Sequence, residues 1–293
     1  MITFILISLC ILSSGFTGNI YKKLSEKSRS VAVSSLMPAL WFLILGIFFS
    51  VLFFVSGEEI PYSLIWVSLL SGICIFAAAF ILIESMKVSS LSISVILVNL
   101  NFIIPVVLSQ LFLDEKASAI QIGGLVISAA MIVILNAAPI GGGSLKWAVF
   151  VPLAASLANG LVNFCIKVNE NHKGDTNFFF AIMYLSASFA SFVTYLILKH
   201  TSKKTNSDIP LKDCLGFMLL MAICNGVCFY TSSLLASRMN AAAQFTIITS
   251  ASIFLSITVG VIFQKEKISF KSILSMLLCT VAIICQCIGI MNG

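Results

Sequence analysis

Long apolar runs alternate with short polar breaks along the whole chain. An α-helix needs about 20 consecutive apolar residues to cross the hydrocarbon core of a bilayer. The runs have this length, and they are too uniformly apolar for membrane-spanning strands. No Lys or Arg precedes the first run, which favours an uncleaved span over a signal peptide. The pattern predicts ten helices, at residues 2–21, 32–55, 63–86, 91–113, 119–137, 147–168, 177–199, 214–236, 241–263 and 271–291.

Composition agrees with this all-α integral membrane assignment. Of 293 residues, 59% are apolar and 10% are charged, against about 25% charged residues in an ordinary soluble domain. This balance excludes a soluble globule of the same size. The longest internal break, at 200–213, has fourteen residues. No connection is therefore long enough to hold a catalytic domain.

Charge distribution and cysteine spacing exclude further classes of protein. The seventeen Lys and Arg residues give a net charge of +6 but form no basic block, so we expect no nucleic-acid partner. The nine cysteines lie mostly inside apolar runs, without the paired spacing of a zinc site or a disulfide framework. The sequence therefore predicts neither a metal ion nor another cofactor.

The spans lack the converging acids, bases and nucleophiles that an enzyme needs. His172 and His200 lie in or beside connections, and ten of the eleven acidic residues flank spans. The sequence also has no Gly-rich phosphate-binding loop, which argues against an ATP-driven pump. We therefore expect that the protein is not an enzyme.

An internal repeat divides the chain near its midpoint. A Gly-rich link separates two sets of five predicted spans, and polar positions of the first set recur in the second. Because five is an odd number of crossings, the second set would enter the membrane in the opposite sense. We therefore predict two inverted five-helix repeats, 1–138 and 147–293, joined by a link at 139–146. The matched positions are Lys87 with Arg238 and 114–116 with 265–267, at a shift of 151 residues, and Ser14 and Gly15 with Asn159 and Gly160, at a shift of 145.

A stretch of the first repeat carries a family resemblance. Pro105 lies inside a span, Leu113, Asp114 and Glu115 end that span, and Gln121 opens the next one. This order resembles the EamA family of the drug/metabolite transporter superfamily, whose pattern is Pro, then Leu-Gly-Glu, then Gln-x-x-Gly, with Asp here in place of the first Gly. In the second repeat, Ser256 and Ser272 stand where the Pro and Gln would recur. The resemblance implies ten helices, small-solute transport and alternating access.

Polar residues inside the spans are the candidates for a solute site. An unpaired amide in hydrocarbon costs several kcal/mol, so each must face protein or water. Ser92 and Asn99 are seven residues apart and share a helix face, whereas α-helical spacing turns Asn101 elsewhere. Hydrogen bonding between helices is the alternative for each of them. The predicted substrate-binding residues are Thr17, Asn99, Asn159, Asn163, Asn225, Tyr230, Thr246 and Ser250.

Ionisable residues near the spans have two interpretations. Glu84 lies three residues before Lys87, so the two share a helix face. Glu84 either forms an interfacial ion pair or carries a proton at the rim of a cavity. Lys22 and Lys167 lie at span ends, and we expect their long side chains to extend to the lipid headgroups rather than inward.

These observations predict a secondary transporter of a small organic solute: a metabolite, an amino acid or a drug-like compound. A receptor or assembly factor on a transporter scaffold, or a channel, is the alternative. The partners would be the solute and the lipid bilayer, in a bacterial inner membrane; the sequence indicates no oligomeric state. Thirteen of the seventeen Lys and Arg residues lie in alternate connections starting with the first, which predicts termini outside the cell. The resemblance suggests the opposite orientation.

Overall fold

The computed structural model describes residues 2–28, 30–58, 62–88, 98–136, 145–201, 211–264 and 270–291. Within these ranges the chain is helical and has no strand, and short 3-10 turns lie at Tyr62–Leu64 and Asn99–Phe102. The α-helices of the described residues are α1 (Ile2–Lys27), α2 (Val31–Ser56), α3 (Ile65–Val88), α4 (Ile103–Phe112), α5 (Ala119–Asn136), α6 (Leu145–Asn171), α7 (Thr176–Thr201), α8 (Leu211–Ala236), α9 (Ala241–Gln264) and α10 (Phe270–Met291).

Six of these helices, α1, α2, α3, α6, α7 and α8, are long and apolar enough to cross a membrane. The other four contain shorter apolar stretches. Large apolar side chains remain on the outer surface: Phe54 and Val55 are each 79% exposed. Such a surface is compatible with lipid rather than water. The protein is an integral membrane protein.

Each predicted span overlaps one of these helices. The largest difference at a described helix end is in α1, which continues six residues beyond the predicted end at 21 and finishes at Lys27. Several predicted features lie outside the described residues. These are Ser92 with the first part of the fourth span, the Gly-rich link at 139–144, and the triplet at 265–267.

Local signals in the sequence set both ends of α2. The Ser30 side chain accepts a hydrogen bond from the backbone N–H of Val33 at 3.2 Å, which satisfies one free donor of the first turn. Gly57 ends the helix with a left-handed backbone, at φ 65°. Glycine adopts this conformation without steric cost.

The largest apolar cluster of the described residues includes an aromatic contact between α2 and α7. Phe42 of α2 and Tyr184 of α7 are fully buried, with ring centroids 5.9 Å apart. Phe49 of α2 and Phe180 of α7 are 5.2 Å apart. Aromatic pairs at these distances contribute attraction beyond the burial of their surface. The contact therefore ties the first half of the chain firmly to the second.

The most extensive helix contacts each join a helix of the first half, α1 to α5, to a helix of the second half, α6 to α10. The most extensive contacts are those of α2 with α7, α1 with α8, α3 with α6, and α5 with α10. If each helix is exchanged for the one five places away in chain order, this set of pairs is unchanged. The contact of α1 with α9 becomes that of α6 with α4, which is also present.

Residues at equivalent positions of the two halves form the contact of α1 with α9 and the contact of α6 with α4. A Cβ atom built on Gly15 of α1 would lie 2.8 Å from Leu255 Cδ2 of α9, and one built on Gly160 of α6 would lie 2.6 Å from Ile104 Cδ1 of α4. Gly160 follows Gly15 by 145 residues, and Leu255 follows Ile104 by 151. These are the two shifts that the repeat in the sequence predicts.

The matched helices α1 and α6 run in opposite directions. Lys27, the last residue of α1, donates to the backbone oxygen of Asp213 at the start of α8, at 2.7 Å. Lys167, near the end of α6, donates to the backbone oxygen of Ala236 at the end of α8, also at 2.7 Å. Because α1 and α6 finish at opposite ends of α8, they point in opposite senses.

Gly72→Ala should destabilise the protein by about 1–3 kcal/mol. The added Cβ would collide with Ser186 Oγ and with the backbone oxygen of Met183 in α7. Gly123→Ala is the control, because its Cβ would meet no atom within 4 Å; it should stabilise α5 by about 0.5–1 kcal/mol. Thermal unfolding of both variants in detergent measures the difference, and equal shifts of the midpoint would contradict the packing.

Candidate binding cavity

A cavity of about 170 Å³ lies inside the bundle, between the two halves of the chain. The first half contributes α1, α3 and the 3-10 turn that leads into α4, and the second half contributes α6, α8 and α9. These are helices that the exchange of halves relates, α1 to α6, α3 to α8 and α4 to α9. The cavity therefore lies where the equivalent parts of the two halves meet.

Asparagines make up a large share of the polar part of the wall. Asn225 is 6% exposed, and its buried Nδ2 atom has no hydrogen-bond partner of ordinary geometry among the described residues. A buried donor without an acceptor costs free energy, so an acceptor placed beside this amide would stabilise it. The other amides are partly exposed and line the same space. The five asparagines of the wall are Asn99, Asn101, Asn159, Asn163 and Asn225.

Hydroxyl groups join the wall helices to one another. Ser14 of α1 donates to Ser252 Oγ of α9 at 2.6 Å. Thr17 donates to the backbone oxygen of Ser14 at 2.7 Å. The Ser14–Ser252 bond holds α1 against α9, whereas the Thr17 bond stays within α1.

Another part of the wall is apolar. Ile75, Ala78 and Leu82, three residues of one face of α3, line the cavity together with the rings of Phe229 and Phe245. The lining residues within the described part of the chain include no charged side chain. The cavity thus suits a ligand that has hydrogen-bonding groups, an apolar portion and no net charge.

The structure brings five of the predicted site residues together in this wall: Thr17, Asn99, Asn159, Asn163 and Asn225. It also adds Asn101, which α-helical spacing turned away from Asn99. Asn99–Phe102 is a 3-10 turn with about 3.0 residues per turn, so the α-helical spacing behind that expectation does not apply there.

Tyr230, Thr246 and Ser250 lie outside the cavity wall. The Tyr230 ring packs on Phe49, with centroids 6.0 Å apart, and is 36% exposed. Thr246 is fully buried in α9. Ser250 Oγ is hydrogen-bonded to Ser128 Oγ at 3.0 Å, which links α9 to α5. Ser250 therefore forms a hydrogen bond between helices, which is the alternative to a role in solute binding.

Glu84 also lies outside the wall. Its carboxylate accepts a hydrogen bond from Lys87 Nζ at 2.7 Å, and both side chains are 23% exposed. Lys87 donates in addition to Ser34 Oγ of α2 at 2.7 Å. The pair thus ties the end of α3 to the start of α2, as expected for an interfacial ion pair.

Lys167 is buried at one end of the bundle, contrary to the expectation that it extends to the headgroups. Its side chain is 4% exposed and forms an ion pair with Glu115 at 2.7 Å. The ammonium also donates to the backbone oxygens of Ala236 and Met239. A cation at the end of a helix stabilises the free carbonyl groups there. Glu115 in turn accepts from the backbone N–H of Ala241 at 2.7 Å, at the start of α9.

Comparison with protein families matches residues 146–286 to the EamA-like transporter family. The matched range covers most of the second half of the chain, which is therefore similar to the members of that family. EamA is one of the families of the drug/metabolite transporter superfamily, so the resemblance is confirmed. The residues that suggested it, from Pro105 to Gln121, lie before the matched range.

Solved structures share the fold of this protein. One of them, described only as "Crystal structure of protein", matches with a TM-score of 0.72 over 95% of this chain and 98% of the other. The two sequences are 16% identical, so the likeness concerns the fold alone. A search of curated proteins finds no match.

Lys167→Met should destabilise the protein by about 3–5 kcal/mol, because it leaves the Glu115 carboxylate without its buried partner. The control is Lys23→Met, which removes an exposed ion pair with Glu26 at 3.3 Å and should cost less than about 1 kcal/mol. Thermal unfolding in detergent compares them. Equal losses would show that burial of the Lys167 pair has no energetic weight.

Proposed function

We propose that this protein, like the EamA transporters that its second half matches, is a secondary carrier for a small organic solute that is uncharged or zwitterionic. The main support is the cavity itself, in which five asparagine side chains border one space inside an apolar bundle. Amide groups are expensive to keep in hydrocarbon. A cavity that gathers them between the two halves is the arrangement expected of a solute site.

We also propose that the chain is built as two inverted five-helix repeats, over 1–138 and 147–293. Three observations support this proposal: the helix contacts are unchanged by exchange of the halves, α1 and α6 run in opposite directions, and matching residues form the crossings at Gly15 and Gly160. Two halves of this kind can rock about a fixed central site and open it to each side in turn. Alternating access is therefore the proposed mechanism.

The volume and lining of the cavity narrow the range of solutes. Sites for drug-sized ligands occupy about 300–1,000 Å³, whereas this cavity has about 170 Å³. The asparagine amides both donate and accept hydrogen bonds, and α3 supplies an apolar surface. We therefore favour a small metabolite or an amino acid over a drug-like compound. The carrier would lie in a bacterial inner membrane. The distribution of Lys and Arg residues would place both termini outside the cell.

Asn159→Ala and Asn225→Ala should each weaken solute binding by about threefold to tenfold, the loss expected for one hydrogen bond. A thermal-shift screen of uncharged and zwitterionic metabolites first identifies a solute, and exchange of that solute into liposomes then measures transport. Tyr230→Phe is the control, because it keeps the ring stacked on Phe49 and lies outside the cavity. If both asparagine variants exchange the solute as the wild type does, the site assignment fails.

Glu84→Gln should leave both the transport rate and its dependence on pH unchanged. The carboxylate is paired with Lys87 away from the cavity wall, and glutamine keeps its size while removing its charge. The measurement is liposome exchange of the solute over a range of pH values. A loss of the pH dependence in this variant would instead assign proton coupling to Glu84.

A further inference from the structure

A serine of the cavity wall is held by a glutamine of the next helix. Ser232 of α8 lines the cavity and is 4% exposed. Gln244, in the first turn of α9, is 1% exposed and lies outside the wall. The Gln244 Nε2 atom is 2.7 Å from the backbone oxygen of Ser232 and 3.0 Å from Ser232 Oγ. Gln244 therefore contacts both the carbonyl and the hydroxyl group of Ser232.

The backbone carbonyl of Ser232 fixes the orientation of the Gln244 amide. A carbonyl oxygen can only accept a hydrogen bond, so the amide must direct its NH2 group, and not its own oxygen, toward Ser232. The Oε1 atom, on the other side of the amide, is buried and has no hydrogen-bond partner among the described residues. The amide thus keeps this orientation although its own oxygen is left unpaired.

This orientation determines what the Ser232 hydroxyl group can do. Because Oγ accepts from the Gln244 amide, the hydroxyl proton must point elsewhere. Within the described ranges, the one hydrogen bond of this oxygen is the one that it accepts from Gln244. The hydroxyl groups of Ser14 and Thr17, in contrast, donate to Ser252 Oγ and to the Ser14 carbonyl. Ser232 therefore has a proton to offer to an acceptor in the cavity.

The same face of α8 carries a second donor of this kind. Asn225 lies seven residues before Ser232, a spacing that puts both side chains on one face of a helix. Its buried Nδ2 atom has no partner of ordinary geometry in the described part of the chain. Helix α8 thus presents hydrogen-bond donors to the cavity, and a solute with oxygen acceptors complements them.

We propose that Ser232 binds the solute as a hydrogen-bond donor and that Gln244 is its positioning residue. The group that fits is an oxygen acceptor, either the carboxylate of a zwitterion or the carbonyl of an uncharged compound. The proposal rests on the solute site proposed above and adds to it two residues outside the predicted set. It also assigns the acceptor end of the solute to α8.

Alkylation of a thiol introduced at Ser232 tests the contact without a solute. In Ser232→Cys, the Gln244 amide would donate to the introduced sulfur and stabilise its thiolate, the form that reacts with iodoacetamide. Adding Gln244→Met, which removes the donor at similar side-chain length, should slow alkylation of this sulfur about threefold to tenfold at neutral pH. Mass spectrometry of the purified protein in detergent follows the reaction.

Cys228 is the internal control for this experiment, because it is a native thiol of the same helix and the same cavity wall. Its alkylation rate should be unchanged by Gln244→Met. Slowing at the introduced sulfur alone is the expected result. Equal slowing at both sulfurs would show a general change of the cavity, and no slowing at either would show that the amide does not act on position 232. Each of these two results would overturn the positioning role of Gln244.

Solute binding gives the second measurement. The probes are L-alanine, L-proline and 2-pyrrolidone, each of which has a carboxylate or carbonyl oxygen, and thermal-shift titration measures their affinity. Ser232→Ala should weaken binding about threefold to tenfold. Ser68→Ala is the matched control and should bind as the wild type does. Ser68 is a buried serine outside the wall, and its hydroxyl donates to the Leu64 carbonyl at 3.1 Å.

The two possible failures are distinguishable. Unchanged binding by Ser232→Ala would overturn the assignment of Ser232 and leave the cavity as the proposed solute site. No shift of the wild type with any of the three probes would contradict the proposed class of solute, and this inference with it.

Discussion

A polar group inside a bilayer must find its partner within the protein, because hydrocarbon offers none. Several hydroxyls meet this constraint within their own helix: Ser50 donates to the Gly46 carbonyl at 2.7 Å, and Thr194 to the Ala190 carbonyl at 2.8 Å. Lys167 meets it through Glu115. The cavity asparagines differ because they border open space rather than packed side chains. Their position, more than their number, makes the cavity the candidate site.

The helices could be predicted from the sequence because the bilayer fixes both their length and their composition. Part of the site could be predicted for the same reason. An amide such as that of Asn159 costs free energy in an apolar helix unless it contacts a polar partner, water or a ligand. Periodicity, however, does not tell which neighbouring helix a side chain meets. The sequence therefore groups Ser250 with the site although it bonds to Ser128. It sets Asn101 apart from Asn99 because the sequence does not reveal the 3-10 turn.

Contacts between distant parts of the chain are the other features that the sequence could not give. The thiols of Cys10 and Cys228 are in contact although the two residues are separated by 218 residues, so no motif spacing would pair them. Lys167 was placed at the lipid surface because its partner, Glu115, belongs to the other half of the chain. The motif that resembles the EamA family lies in the first half of the chain, whereas the range that matches the family lies in the second half.

The Glu115–Lys167 pair has a consequence for the end of the bundle where it lies. It joins the connection before α5, the end of α6 and the turn between α8 and α9 through one buried ammonium group. Opening this end would take the Lys167 ammonium away from all three of its oxygen partners, the Glu115 carboxylate and the carbonyls of Ala236 and Met239. Hydration of the separated charges would offset part of that loss. The three segments therefore act as one unit at this end, because none of them can move away without breaking a contact of the same ammonium group.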